Sequence, residues 1–286
     1  MEDLKRRLDV CLDRVTGLPP APVIVPRLLH LLGQAEVDSG QVGEVIACDP
    51  ALTAAVLRLC NSALLAHANA VANLPEAVLR VGFAPVYEFV VAILGARAMV
   101  PAQKGYGIDE GELWKHCVAT GLAARCMARA RGSDESLAFT AGILHDIGKL
   151  VLAQSLEESY RRLMAEIAER QASLLESEAS ILGVQHAEIG GRLLERWHFP
   201  EALVMAVWHH HNPAGASGHE PLAAVVYLGN LVAHFMGFGY GHQALALRGR
   251  AEALELAGIT AQELPHFMIE TYDLFKEMER LVGTKG

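Results

Sequence analysis

The residues of this chain that could do chemistry are a set of imidazoles and one carboxylate. His145-Asp146 lies inside the run GILHDIGKLVL; an isolated His116 precedes it, and His186 and the run His209-His210-His211 follow. Neutral imidazole binds Fe, Mn, Zn or Ni, and a carboxylate adds charge and can bridge two ions. Two ions about 3.5–4 Å apart can clamp a phosphoester and activate a water. A site of that kind draws its ligands from several elements. The candidates are Glu112, His116, His145, Asp146, His186, His209 and His210.

Local spacing supports such a site. Glu112 and His116 are four apart and share a helix face, as do His145 and Lys149. Lys149 would then reach a phosphate beside an ion held by His145 and Asp146, and is the candidate catalytic residue if the protein is an enzyme. The flanking residues Gly142, Ile143, Leu144, Ile147 and Gly148 are small or apolar, so the site should lie inside the protein. Other histidines read as surface or hydrogen-bonded core residues: His30, His67, His198, His234 and His266. Neighbours on a helix differ in direction by about 100°, so one or two of the His209–His211 run would face the site. His211 is expected to be exposed.

The elements that must position these residues read as helices. Of the 286 residues, 52% are apolar and only 6% aromatic, a mix that favours helix over sheet. No stretch alternates with period two. A helix at the N-terminus is followed by the proline cluster 18–22, then helices at 24–33 and 40–47, the latter with Ser39 as N-cap. Asp49-Pro50 is a strong helix start. Leu74-Pro75-Glu76 is another, interrupted at Gly82, and 86–99 reads as a buried helix. Residues 101–111, rich in Gly and charge, separate two helical blocks. The second block predicts helices at 112–130, 134–153, 157–171, 173–182, 186–197, 200–211 and 220–236. Thr260-x-x-Glu263 is a capping box for a tail helix reaching about Leu281.

Composition excludes some functions. The formal charge of −9 disfavours a polyanion partner, so nucleic acid is not expected. Five cysteines without a Cys-x-x-Cys pair read as reduced thiols, and the charged start MEDLKRRLDV has no apolar signal core. Residues 221–241 carry no Asp, Glu, Lys or Arg but do contain Asn230, His234 and four glycines, so they read as a buried helix. Neither membrane binding nor export is expected, and the protein is expected in the cytoplasm.

Cys48 to Thr53, Leu57-Arg58-Leu59 and Asn61-Ser62-Ala63 together resemble the N-terminal signature of the HDOD domain. Ala77 and Val81-Gly82 fit the stretch that follows, with Val81 in a leucine's place. The second half, with His116, HDIGK and the His186 region, resembles the HD part of the same domain. The resemblance covers roughly residues 15–215.

It implies an all-α, two-lobed architecture: an N-terminal helical lobe over 1–105 and an HD-like lobe over 106–286. Asp49, Pro50, Asn61, Ser62 and Gly82 would be structural residues of the family motif. It also implies a bacterial-type signalling role, a regulator acting through protein contacts or a small ligand such as a nucleotide. A chain of this length leaves no room for an attached receiver or kinase, so input would come from a separate signalling protein or from the ligand.

The ligand places are also similar to those of the related HD-GYP phosphodiesterases. Glu112, His116, His145, Asp146, Lys149, His186, His209 and His210 each fall on a place of that motif set. This implies one or two divalent ions (Fe, Mn, Zn or Ni) and, as the alternative function, metal-dependent hydrolysis of a nucleotide or cyclic dinucleotide. Two departures weigh against turnover. The run HHHNPAGASG lacks Gly-Tyr-Pro, and the last HD-type aspartate falls near the neutral Asn230.

Overall fold

The structure is a computed structural model. It describes residues 8–9, 12–13, 24–34, 36, 38–61, 71–156, 173–239 and 251–282. Among them every named element is an α- or 3-10 helix, and the one β-type contact is an isolated bridge between Gln103 and Ile108. The expected helix over 157–171 and Ser62 lie outside the described residues.

Among the described residues, the named helices of the N-terminal part are α1 (Ile24–Leu32), α2 (Ser39–Ala47), α3 (Pro50–Cys60), α4 (Leu74–Val81) and α5 (Phe83–Met99). Their starts are set by short polar side chains that accept the first free backbone N–H groups. Asp49 Oδ1 accepts from Leu52 N at 2.9 Å with Pro50 at the first helical position. Asn73 Oδ1 accepts from Glu76 N at 2.9 Å. The cap of α2 is Asp38, whose Oδ1 accepts from Gly40 N at 2.8 Å, rather than the expected Ser39, which is the first helical residue. A carboxylate two residues ahead of an amide reaches it more readily than the adjacent hydroxyl. Gly82 adopts φ +93°, a conformation that L side chains rarely take, and α4 and α5 meet there at 116°.

Asn61 closes the end of α3. Its Nδ2 donates to Val71 O at 2.8 Å and its Oδ1 accepts from Val71 N at 2.6 Å. One amide side chain thus satisfies both backbone groups of a residue ten positions on.

The following helices are α6 (Glu112–Ala130), α7 (Glu135–Leu144), α8 (Ile147–Leu156), α9 (Leu174–Leu182), α10 (His186–Arg196), α11 (Glu201–Trp208), α12 (Glu220–Phe235), α13 (Ala251–Ala257) and α14 (Leu264–Val282). Helix α6 is the axis of this part and packs against α7, α12 and α14. One apolar core runs from Leu8 through Phe89 and Trp114 to Met278, and a smaller one lies among α6, α12, α13 and α14. Hydrogen bonds tie α5 to the second block: Trp114 Nε1 donates to Ala92 O at 3.2 Å, Tyr87 Oη pairs with Thr140 Oγ1 at 2.6 Å, and Arg125 donates to Glu88. The capping box at Thr260 is present, with Thr260 N donating to Glu263 Oε2 at 2.8 Å before α14 begins.

Two departures from the expected helices matter for the site. The predicted helix over 134–153 is interrupted at His145-Asp146, between α7 and α8. The predicted helix over 200–211 stops at Trp208. The apolar stretch Glu135–Ala153 is long and apolar enough to cross a membrane by composition, and 94% of its most apolar window is buried inside the protein. Residues 221–235 lie in α12, largely buried against α6 as expected. The four described cysteines, Cys48, Cys60, Cys117 and Cys126, are free thiols.

Candidate metal centre

Close backbone contact brings the histidine-bearing helices together. On α6, Gly121 faces Gly142 of α7, and a Cβ on Gly142 would stand 2.5 Å from Gly121 Cα. Helices that touch at two glycines bring His116, one turn before Gly121, toward His145 at the end of α7. Gly148 performs the same service for α8 and α10. A Cβ there would lie 1.9 Å from the carbonyl oxygen of His186.

Asp146 is the centre of the result. Its Oδ2 is 3.3 Å from His145 Nε2, 3.7 Å from His116 Nε2 and 2.7 Å from Lys149 Nζ. Its Oδ1 is 3.2 Å from His186 Nε2 and 3.8 Å from His210 Nε2. The two oxygens thus face two different groups. One is His116, His145 and Asp146, and the other is His186, His210 and His211; within each, the potential ligand atoms lie within 4.8 Å of one another. His116, His145, Asp146, His186 and His210 are all 1% exposed or less.

The rings are held from behind. His145 Nδ1 is 2.7 Å from Gly142 O, and His210 Nδ1 is 2.7 Å from Val207 O. His116 Nδ1 is 3.1 Å from Phe238 O. A carbonyl only accepts, so each of these Nδ1 atoms carries the proton and leaves a lone pair on Nε2. His186 Nδ1 is 2.8 and 2.9 Å from the oxygens of Glu178, which also accepts from His186 N at 2.8 Å. Backbone carbonyl and carboxylate partners of this kind fix ring orientation in metal sites.

The electrostatics agree. Burial, then the neighbouring imidazoles, hold His116, His210 and His211 well below the usual histidine value, so all three are neutral at pH 7. Burial would raise Asp146, but His145 and Lys149 outweigh it and keep the carboxyl well below its usual range. Burial would lower His186, but the buried Glu178 carboxylate outweighs it and raises that ring above its usual value. Neutral imidazoles at His116, His210 and His211 beside an ionised carboxylate are donors that suit a divalent ion.

The buried Nε2 atoms of His145 and His210 have no hydrogen-bond partner. Burying a polar atom unsatisfied costs about 1–3 kcal/mol. An ion held by each group would give these two atoms a partner, so the residues present fit a metal.

The expected residues divide cleanly. His116, His145, Asp146, His186 and His210 come together, and Lys149 joins them through Asp146. Two do not. Glu112 turns back to accept from Asp109 N at 3.0 Å, because it stands in the first turn of α6, where free N–H groups compete for its carboxylate. His209 packs its Nδ1 against Gly215 and is partly exposed.

His211, expected to be exposed, takes the place expected of His209, with its Nε2 3.0 Å from His186 Nε2. Two of the three histidines face the site, as expected, but the pair is His210 and His211 because α11 has ended: His209 is its C-cap, and the residues beyond follow a turn. His234 also approaches, its ring centroid 4.7 Å from that of His116. Its only sequence signal was a place on the same helix face as Asn230. Asn230 is buried, and its Oδ1 has no hydrogen-bond partner. Of the motif residues, Asp49, Pro50, Asn61 and Gly82 fill the helix-start, loop-closing and bend positions described above.

The family model of the HDOD domain matches residues 18–213. A protein of Treponema pallidum with no assigned function is 26% identical over 227 residues, 78% of this chain and 44% of that one. Ribonuclease Y of Thermus thermophilus is 32% identical over 151 residues, 53% of this chain and 20% of that protein. The chain therefore spans less than half the length of either curated relative.

Among solved structures, a Shewanella amazonensis protein provisionally described as a phosphohydrolase superposes with a TM-score of 0.72 at 25% identity, covering 98% of this chain and 97% of that one. A Marinobacter aquaeolei protein provisionally described in signal transduction gives 0.76 at 24% identity, covering 99% and 65%. The second likeness speaks for the fold alone.

Proposed function

Since this chain belongs to the HDOD domain family, we propose that it is a metal-binding regulatory protein of signal transduction, acting through contacts with signalling proteins or a small ligand such as a nucleotide. The observation that carries this reading is the arrangement at Asp146, whose two oxygens face two histidine groups. His116 and His145 with Asp146 would hold one divalent ion, and His186, His210 and His211 a second, with Asp146 able to bridge. Imidazole and carboxylate donors suit Fe, Mn, Zn or Ni.

Burial favours regulation over turnover. His116, His145, Asp146, His186 and His210 are buried, Lys149 is 5% exposed and already bonded to Asp146, and the neutral Asn230 stands near the place of a family carboxylate. A buried metal centre stabilises one packing of the helices around it, and a partner that reads that packing would sense metal or ligand occupancy. The acidic charge gives RNA no general attraction, so RNA cleavage is not part of this reading.

The test is elemental analysis of protein purified from Mn- or Fe-supplemented medium, beside His145→Ala. One or two ions per chain in the wild type, reduced by the substitution, supports the reading. A metal-free wild type rejects it.

A second reading, a metal-dependent phosphohydrolase acting on a nucleotide or cyclic dinucleotide, is favoured by Lys149 Nζ lying 2.7 Å from Asp146, where a phosphate beside the ions would meet it. Bound ions would supply Lewis-acid polarisation of the phosphate and an activated water. Lys149 would then leave Asp146 to steady phosphate charge. Hydrolysis of bis(4-nitrophenyl) phosphate or of a cyclic dinucleotide by the metal-loaded chain, abolished by Lys149→Ala, supports it. No turnover with the ions bound rejects it and leaves the regulatory reading standing.

A further inference from the structure

Between α5 and α6 the chain does not wander. Residues 100–111 form a compact clip: Gln103 N donates to Ile108 O at 2.9 Å, Ile108 N to Gln103 O at 3.3 Å, and Gly111 N to Val100 O at 2.7 Å. A 3-10 turn over Lys104–Tyr106 lies inside it and packs on α8, the helix that carries Lys149. The clip places Tyr106 in the interior, 3% exposed. Its hydroxyl donates to Glu178 Oε1 at 2.6 Å.

Glu178 is a fully buried acid, and its donors account for its placement. Oε1 receives Tyr106; Oε2 receives the backbone N–H of His186; both oxygens face His186 Nδ1. Three donors on one buried carboxylate leave it little freedom to rotate. The consequence passes to the other nitrogen of His186. With Nδ1–H aimed at Glu178, Nε2 points to Asp146 Oδ1 at 3.2 Å and His211 Nε2 at 3.0 Å. The chain of contacts therefore runs from the clip to the second histidine group without a break.

We propose that Tyr106 is a positioning residue for the His186–His210–His211 group: it holds Glu178, which aims His186, and so ties the metal affinity of that group to the clip between α5 and α6. The inference rests on the metal-binding reading above. It gives the two halves of the site different wiring. His145 is held by a carbonyl of its own helix, Gly142 O, whereas His186 is held by a relay ending on a segment outside the helices that carry the ligands. A displacement of α5 relative to α6 would move Tyr106 and loosen His186 while leaving His145 in place. In reverse, an ion on the His186 group would stiffen the clip.

Burial, then the charge of Glu178, keep the Tyr106 phenol well above its ordinary value, so it remains a donor across the physiological range. Losing an outer partner of a metal-binding histidine typically costs about 10- to 100-fold in metal affinity.

The experiment is calorimetric titration of the metal-stripped full chain with Mn(II), comparing wild type with Tyr106→Phe, which removes one oxygen and keeps the ring. Thermal denaturation in chelator checks that the variant folds. The expected result is weakening of one binding event by about 10- to 100-fold, with the other changed less than about twofold. Glu178→Gln reads the same link if Tyr106→Phe fails to fold, with the same selective loss expected. Unchanged affinities in a folded variant overturn this inference alone. A wild type that takes up no ion overturns the metal reading and this inference with it.

Discussion

Gly148 and His186 meet backbone to backbone: a methyl group on Gly148 would stand 1.9 Å from the His186 carbonyl oxygen. No rotamer relieves that clash, because both partners are main chain. Gly148→Ala must push α8 from α10 and carry His186 away from Asp146. Overpacking of a well-filled interior costs about 1–3 kcal/mol, and this contact belongs at the upper end. Urea denaturation should show the loss, and metal content should fall with it. A stability within about 0.5 kcal/mol of wild type, the ordinary range for surface changes, would mean that the two helices do not touch this closely.

The two oxygens of Asp146 face both histidine groups, whereas the ligand atom of His145 belongs to only one. If each group holds an ion, His145→Ala should remove one ion per chain and Asp146→Asn should weaken both. Plasma emission spectrometry on purified protein counts the ions. Equal losses from the two substitutions would contradict a bridging role for Asp146.

Within the histidine run the residues should behave differently. His211→Ala should lower metal content, because His211 Nε2 is 3.0 Å from His186 Nε2. His209→Ala should leave it unchanged, since His209 packs on Gly215. Glu112→Gln should also leave it unchanged, because its carboxylate serves Asp109 N. A metal loss in His209→Ala larger than in His211→Ala would reverse the assignment.

This part of the site marks where sequence reading ran out. Helix starts at Asp49-Pro50, Leu74-Pro75 and Thr260 were legible because a cap is a local event: the accepting side chain and the donated N–H lie within three residues. His116, His145, Asp146 and His186 were legible because each stands on or beside a helix with a strong pattern. Which of three adjacent histidines turns inward was not, since it depends on where α11 stops, and nothing local marks the stop at Trp208. Glu112 misled for a related reason. A face shared with His116 does not outweigh free amides one turn away. Tyr106 and Glu178, 72 positions apart, carried no pattern at all; only the fold brings them together.

Asn61 holds both backbone groups of Val71. Asn61→Ala should cost about 1–2 kcal/mol by leaving them to solvent or unpaired. Asn61→Asp tests the geometry more sharply. It keeps the acceptor for Val71 N but replaces the donor with an oxygen facing Val71 O, so it should be at least as destabilising as alanine. Chemical denaturation of the two variants gives the order, and an aspartate variant as stable as wild type would show that the donor contributes nothing.

Asp49 gives a pH dependence free of the metal centre. The Arg97 side chain, then the Leu52 amide, pull its carboxyl down to about 2 from 3.8. A folded-state value below the unfolded one means that the unfolded chain binds the proton more readily. The stabilisation is therefore complete above pH 4 and is lost as pH falls through 4 toward 2. The pair is largely exposed, so solvent screens it and the effect stays under about 1 kcal/mol. Asp49→Asn keeps a side chain able to cap α3 but loses the ion pair with Arg97. It should be slightly less stable than wild type at pH 7 and converge with it near pH 2. Urea midpoints measured across that window decide the matter, and a difference that grows as the pH falls would have the wrong sign for this account.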